Sequence, residues 1–237
     1  MNFVQMFRDT DFHTTLLVTF IFTLGVVLVE LILGFLLALL LTSIRQRWLR
    51  VVLLLPTVIA PVVVGLTWKT LLSYDLGQIN YFLRAAGLTS VNWLGTQATA
   101  LISVMLVDIW QWTPFAFLIF TAGLQSLQVE PYEAAKVDGA SYWQIVRRIT
   151  LPQMTPIIAI VLMFRTLDAF KTFDTIYMIT NGGPGNATDV LSFRIYQKAF
   201  FQNQLGYAAA LSVLTLFLAT LMTGVLGRIL RRAREAF

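Results

Sequence analysis

The run Leu16–Leu41, LLVTFIFTLGVVLVELILGFLLALLL, decides the class of fold. A hydrocarbon core of about 30 Å is crossed by roughly 20 apolar residues in a helix, and this run exceeds that with Glu30 as its one charge. Three further runs meet the same test: Val51–Leu72, Ala98–Leu124 and Leu205–Leu226. A fifth begins near Thr155, but its uninterrupted apolar part, Ile157–Phe164, is short. Arg165, Asp168, Lys171 and Asp174 follow, mixed with Phe170, Phe173, Ile176, Tyr177 and Met178. The expected fold is an all-α integral membrane protein, a polytopic bundle of about five transmembrane helices forming one domain, residues 1–237, with its core at about 12–228.

Composition agrees. Of 237 residues, 57% are hydrophobic and only 12% charged, about half the charged share of a soluble domain (~25%). Mean hydropathy is +0.75. There is no Cys and a single His, His13. That excludes disulfide scaffolds, thiolate metal sites and Cys nucleophiles, and it leaves no paired His ligands. Residues 1–13 carry Arg8, Asp9, Asp11 and His13, unlike a signal peptide.

The basic residues set the topology. Arg45, Arg47 and Arg50, then Lys136, Arg147 and Arg148, then Arg228, Arg231, Arg232 and Arg234 share one side if the chain crosses five times. On the other side Arg8, Lys69, Arg84, Lys171, Arg194 and Lys198 are offset by Asp9, Asp11, Asp75, Asp174 and Asp189. The positive-inside rule puts the N-terminus outside and the C-terminus in the cytoplasm. Without the fifth span the Arg-rich tail would lie outside.

The stretch Gln125–Pro152, QSLQVEPYEAAKVDGASYWQIVRRITLP, is too polar to cross a bilayer. Pro131 suits the first turn of a helix, with Glu130 and Glu133 near its positive end. Gly139 is placed to stop that helix. Ser141 is placed to cap a second short one, Tyr142–Ile149, before Pro152 interrupts again. Two readings stand on composition alone: an amphipathic helix lying on lipid, for which Tyr142, Trp143 and Arg147 are suited, or a rigid knob that docks into a soluble partner.

The spacing Glu-Ala-Ala, three residues, Gly, nine residues, Ile, one residue, Leu-Pro is met by Glu133-Ala134-Ala135, Gly139, Ile149 and Leu151-Pro152. It resembles the signature loop of ABC-importer permease subunits. More of the chain is similar to the carbohydrate-importing branch of that family: Glu30–Leu41, Trp110–Phe115 (WQWTPF), Ala122–Leu127, Val137–Ser141 (VDGAS), Phe164–Thr188 and Gly206–Leu214. The resemblance implies a type I importer permease fold, with residues 128–152 as a cytoplasmic coupling loop. Glu133, Ala134, Ala135, Asp138, Gly139, Ile149, Leu151 and Pro152 would then meet an ATPase. It also implies two cytoplasmic ATP-binding subunits, a second permease distinct from this one (the turn Asn181–Gly185 resembles one member of such pairs), and an extracytoplasmic solute-binding protein. The setting would be a prokaryotic plasma membrane. Chains of this branch typically carry a further helix before the segment that starts here at Met1. No Gly-x-x-x-x-Gly-Lys-Ser/Thr occurs, so the chain is expected to bind no cofactor, with ATP-Mg used by the partner. No nucleic-acid partner is expected.

Charges at membrane depth cost about 2.5–3.5 kcal/mol each on insertion scales, so they normally face a bundle interior or a watery cavity. Arg165 with Asp168, and Lys171 with Asp174, sit at i, i+3 and are spaced to pair. Four charges at three-residue steps spiral round an ideal helix, which calls for a break near Lys171. Interrupted spans mark transporter binding sites. Carboxylates and amides bond sugar hydroxyls while aromatic rings cover apolar sugar faces. Asp168, Phe170, Lys171, Asp174, Tyr177 and Asn181 are therefore the candidates for the substrate pathway, and the resemblance makes this helix line the passage. Glu30, beside Gly34 and Ala38, reads as a buried structural partner at a close helix crossing. Asp108 reads as an inward anchor near a kink at Pro114. Asn186-Ala187-Thr188 fits a glycosylation pattern only incidentally. Competing readings are an ABC permease for a non-carbohydrate solute, a secondary transporter that uses the charged stretch, and an intramembrane enzyme. The last lacks any nucleophile constellation.

Overall fold

The computed structural model describes residues 2–41 and 47–235. Arg45, one of the residues used for topology, lies outside them. Every regular element among the described residues is helical. α1 (Asn2–Arg8) and α2 (Thr10–Leu41) lead into α3 (Arg47–Val58), α4 (Pro61–Leu71) and the short α5 (Gln78–Ala85). α6 (Gln97–Gln125) is followed by α7 (Glu130–Val137), α8 (Tyr142–Ile145) and α9 (Leu151–Phe170). α10 (Asp174–Ile179), α11 (Leu191–Tyr196) and α12 (Leu205–Glu235) complete the chain.

Among the described residues, four helices are long and apolar enough to cross a membrane: α2, α6, α12, and the continuous helix Tyr142–Phe170 formed by α8, a π turn at Val146–Thr150 and α9. The bent pair α3 and α4 makes a fifth if counted as one span. α2 and α6 form the centre, brought together by small residues. A Cβ on Gly34 would lie 2.7 Å from the Ala116 Cβ and 3.0 Å from the Phe117 amide nitrogen, and Ala38 is fully buried one turn on. Lipid is as apolar as Leu, so this close approach, rather than hydrophobic burial, favours the pair.

Two expectations are corrected. Val51–Leu72 is not one straight span: α3 and α4 meet at 99°. Ala60 is extended (ψ 134°) ahead of Pro61, as the residue before a proline prefers. The Gln111 Nε2 donates to the Ile59 carbonyl freed at that break (3.1 Å). Likewise Pro152 does not interrupt the helix that begins at Tyr142. Its ring would clash with the carbonyl four residues earlier, but the π turn just before it is wider, with the Leu151 amide donating to the Val146 carbonyl. The polar fifth candidate thereby gains an extension at its N-terminal end and reaches 29 residues, about 43 Å at 1.5 Å per residue.

The two ends of the bundle differ. At one end, Leu39 of α2, Leu124 of α6 and Tyr132 of α7 border a common groove. At the other, the Tyr207 hydroxyl of α12 donates to Asp9 (2.6 Å) and Asp11 lies 3.6 Å from Arg194 of α11. The cap between α4 and α6 is organised by buried Asn80. Its amide donates to the Tyr74 and Val91 carbonyls, and its oxygen accepts from the Val91 amide and the Trp93 indole.

Candidate functional site

The first candidate is the helical hairpin α7–α8. Pro131 occupies the first turn of α7, and no residue of α7 is buried. Asp138 ends the helix, and Gly139 follows at φ +73°. The Gly139 amide donates to the Lys136 carbonyl (3.1 Å) and the Ala140 amide to the Ala135 carbonyl (2.9 Å). These are the two bonds of a Schellman stop. A Cβ on Gly139 would meet nothing within 4 Å, so the requirement there is backbone handedness alone. The chain then turns into α8, where the Ser141 amide is accepted by the Gln144 side chain (2.7 Å). The Tyr132 hydroxyl of α7 donates to Thr150 of the π turn (3.2 Å).

Five of the eight residues expected in the coupling loop fall on α7 and its stop, and the other three follow α8. Glu133, Ala134 and Ala135 lie on α7, Asp138 and Gly139 form its stop, Ile149 lies in the π turn, and Leu151 and Pro152 open α9. Glu133, Ala134, Asp138 and Gly139 are exposed. So are Val137 and Trp143, at 88% and 66%. α7 is thus an unburied helix at one end of the bundle, closed by a left-handed stop.

The second candidate lies inside the bundle, between α2, α6 and α9. Arg165 of α9 is fully buried and forms the hub of a charged cluster. Its Nε and Nη2 donate to the two oxygens of Glu30 on α2 (2.6 and 2.9 Å). Nη2 also donates to Asp108 of α6 (2.9 Å), and Nη1 to Asp168 (2.6 Å). The guanidinium lies 4.9 Å from the centre of the Trp112 ring. Only an arginine offers donors in a fixed fork that reaches three carboxylates at once. Glu30 and Asp108 are sealed off, whereas the Asp168 side chain is 43% exposed. It opens into a cavity of about 180 Å³ lined by Trp112, Phe115, Phe164, Arg165 and Asp168. Glu30 and Asp108 thus hold the structural positions expected of them, and the Arg165–Asp168 pair forms as spaced.

The six pathway candidates do not share one wall. α9 ends at Phe170, and Lys171 to Phe173 form the expected break. Phe170 is corrected: it is buried against Phe20 (ring centres 6.0 Å apart), in the cluster that joins Met6, Phe12, Leu191, Tyr207 and Leu211. Phe170 is two residues beyond Asp168, about 200° round the helix at ~100° per residue, which turns its side chain inward. No ion pair joins Lys171 to Asp174 among the described residues. Tyr177 stacks on Phe173 (5.4 Å) and meets Tyr196 edge-on (5.4 Å). Asn181 is exposed in the left-handed region (φ +52°), opening the turn to Gly185. Of the six, Asp168 alone lines the cavity beside Trp112. Trp112, Phe115 and Phe164 were missed as cavity residues. Their signal was the i, i+3 and i, i+4 spacing of Trp112 with Phe115 and Phe164 with Asp168.

At the opposite end from the knob, Arg194 and Asp189 are both buried and ion-paired. Asp189 also accepts from the Thr15 hydroxyl (3.0 Å). Burial pushes the Asp189 carboxyl up, and the Arg194 charge and the Thr15 bond pull against it. Burial also works to raise Asp9, but the Tyr207 hydroxyl, the Asp11 amide and the charges of Arg194 and Lys198 outweigh it and hold the carboxyl below its usual range. Thr188 is buried and donates to the Gly183 carbonyl (2.8 Å), so the Asn186–Thr188 pattern is not a free surface loop.

Residues 30–235 match the family described as binding-protein-dependent transport system inner membrane component. The trehalose/maltose transport system permease protein MalF of Thermococcus litoralis is 35% identical over 99% of this chain and 80% of its own length. The sulfoquinovosyl glycerol transport system permease protein SmoG of Agrobacterium fabrum is 36% identical over 97% of this chain and 75% of its own. Among solved structures, a bacterial ABC transporter importing the acidic polysaccharide alginate superposes with a TM-score of 0.88, at 26% identity, covering 98% of this chain and 82% of that one. The MetNI methionine transporter, at 19% identity and a TM-score of 0.62, shares the fold alone.

Proposed function

We infer the function of this chain from the family to which it belongs, the inner membrane components of binding-protein-dependent transport systems. It is the permease subunit of an ATP-driven ABC importer for a carbohydrate, and it forms part of the translocation pathway. The observation that carries the working mechanism is α7, a helix with no buried residue held at one end of the bundle by a left-handed stop at Gly139.

In our reading that end is cytoplasmic, since Lys136, Arg147, Arg148 and Arg228 gather there. The knob sits in a cleft of a partner ATPase, and closure of two such ATPases on ATP-Mg drives the bundle from inward- to outward-facing. Glu133 pairs with a basic group of that partner. A second, different permease completes the pathway, and an extracytoplasmic solute-binding protein delivers cargo at the opposite end, where Asp9, Asp11 and Asp189 lie. The Asp168 cavity and its three aromatic rings are the part of the pathway wall this chain supplies.

The test is reconstitution with the partner subunits in proteoliposomes and assay of binding-protein-stimulated ATP hydrolysis against a sugar panel. Stimulation and sugar uptake that require ATP are expected. Uptake driven by an ion gradient without ATP would favour a secondary transporter, and stimulation only by a non-carbohydrate solute would replace the cargo class.

A further inference from the structure

α9 has 20 residues, about 30 Å at 1.5 Å per residue, which matches the hydrocarbon core of a bilayer (~30 Å). Lys171 follows its last residue, and Arg147 and Arg148 precede its first by one turn on the same continuous helix. The arginines therefore stand about 5 Å outside the hydrocarbon, within a headgroup layer about 5–7 Å deep on each side. Trp143 with Arg147, and Gln144 with Arg148, are four residues apart and share one exposed face. Ile145, Val146 and Thr150 turn the other face inward. The four exposed residues line a hollow of about 460 Å³. No acidic residue lies between Asp138 and Asp168 in the sequence, and neither arginine has an ion-pair partner among the described residues. The Gln144 side-chain oxygen accepts from the Ser141 amide (2.7 Å), which leaves its NH2 as a donor beside the arginines.

We propose that this face of α8 and the π turn is a binding site for the phosphate of an anionic phospholipid headgroup. Two guanidinium groups present planar forks that match the non-bridging oxygens of a phosphodiester, and the Gln144 amide donates to a headgroup hydroxyl. Trp143, 66% exposed, has the amphipathic ring that favours the boundary between headgroups and hydrocarbon. A zwitterionic lipid supplies the same phosphate but also a cation that the arginines repel, so the preference is for a net negative headgroup. Position favours lipid over a protein partner, because the arginines lie on the helix that enters the bilayer, whereas α7 has no buried residue. The bond from Tyr132 to Thr150 links the two parts, so an occupied lipid site steadies the base of α7. Only the crossing of the bilayer by α9 is required, and the outcome does not depend on the cargo.

The test uses the full chain in phosphatidylcholine nanodiscs doped with a minority lipid that bears a nitroxide near its headgroup. The label is carried either by phosphatidylglycerol or by phosphatidylcholine, and the reading is quenching of Trp143 fluorescence, isolated by difference against Trp143→Phe. A basic residue near an anionic surface gives about a fivefold preference (~1 kcal/mol), so labelled phosphatidylglycerol is expected to be enriched beside Trp143 on the order of twentyfold. Arg147→Gln and Arg148→Gln should each lower that enrichment about fivefold on the same ground, and the double variant should abolish it. Equal quenching by the two labelled lipids in the wild type would overturn the proposal. Millimolar inorganic phosphate should leave the quenching by phosphatidylglycerol unchanged; its loss would make the ligand a soluble anion and would overturn the lipid site. Absence of a lipid preference, with the double variant instead weakening co-purification with the ATP-binding subunit in lipid-free detergent, would give this face to the protein partner.

Discussion

Replacing Arg165 by Leu would leave Glu30, Asp108 and Asp168 without their shared cation. Removing one partner of a buried ion pair costs about 3–5 kcal/mol, because the remaining charges stay desolvated. The expected result is a markedly lower unfolding midpoint in detergent. Arg165→Lys should not restore it, because an ammonium cannot make the two-pronged contact to Glu30 while reaching Asp108 and Asp168. Full stability of Arg165→Lys would argue against the fork. At the opposite end, Asp9 has a folded pKa below its ordinary 3.8. Its contribution is therefore complete above that value and is lost as pH falls below it through the lower folded value. Thermal unfolding of wild type and Tyr207→Phe should differ near neutral pH and converge in strong acid; an undiminished difference there would exclude the Asp9 bond as its source. At this scale the sequence disclosed which residues were charged at depth and that Arg165 and Asp168 were spaced to pair. It did not disclose that Glu30 and Asp108 join the same guanidinium, since they are 135 and 57 residues away and meet only through helix packing.

Elements were legible where a local rule governs them. Pro131, Gly139 and Ser141 announced the knob, and the left-handed glycine was found as expected. The bend between α3 and α4 and the π turn before Pro152 were not legible. Each depends on how a proline is accommodated, and the accommodating partner is distant in one case (Gln111) and a change of helical width in the other. Hydropathy weighs apolar length and is silent on both. Substitution in these elements has separable effects. Gly139→Ala should cost roughly 1–2 kcal/mol of local backbone strain with little steric penalty, whereas Gly139→Asp and Glu133→Lys should abolish uptake and weaken assembly with the ATPase, measured by co-purification. Normal co-purification and uptake in both would remove α7 from the coupling role. Gly34→Val presses a branched side chain into Ala116 and the α6 backbone, so it should destabilise the α2–α6 pair by a few kcal/mol, in line with ~1–3 kcal/mol for overpacking. An unchanged unfolding midpoint would show that the helices are not packed so closely.

Across the whole molecule, the bundle is polarised. A basic, protruding end carries the knob; an opposite end rich in aspartates ties α1, α2, α11 and α12 together; a sealed charge cluster lies between them with one carboxylate open. The expected five crossings are met among the described residues by four long helices and, if counted as one span, the bent pair α3–α4. The class of fold followed from hydropathy alone. The pathway wall did not, because it is composed from α6 and α9 together, and a reading along one helix placed Phe170 on it when packing turns that ring into the core. In our reading an ATP-binding subunit holds α7 during transport. The chain has no cysteine, so Val137→Cys provides a single reactive position on the exposed helix. In proteoliposomes that show ATP-dependent uptake, a short bifunctional thiol cross-linker should join this position to a cysteine-bearing ATP-binding subunit, with a yield that changes on addition of ATP. Adducts with lipid alone, in a preparation that still takes up sugar, would contradict the account.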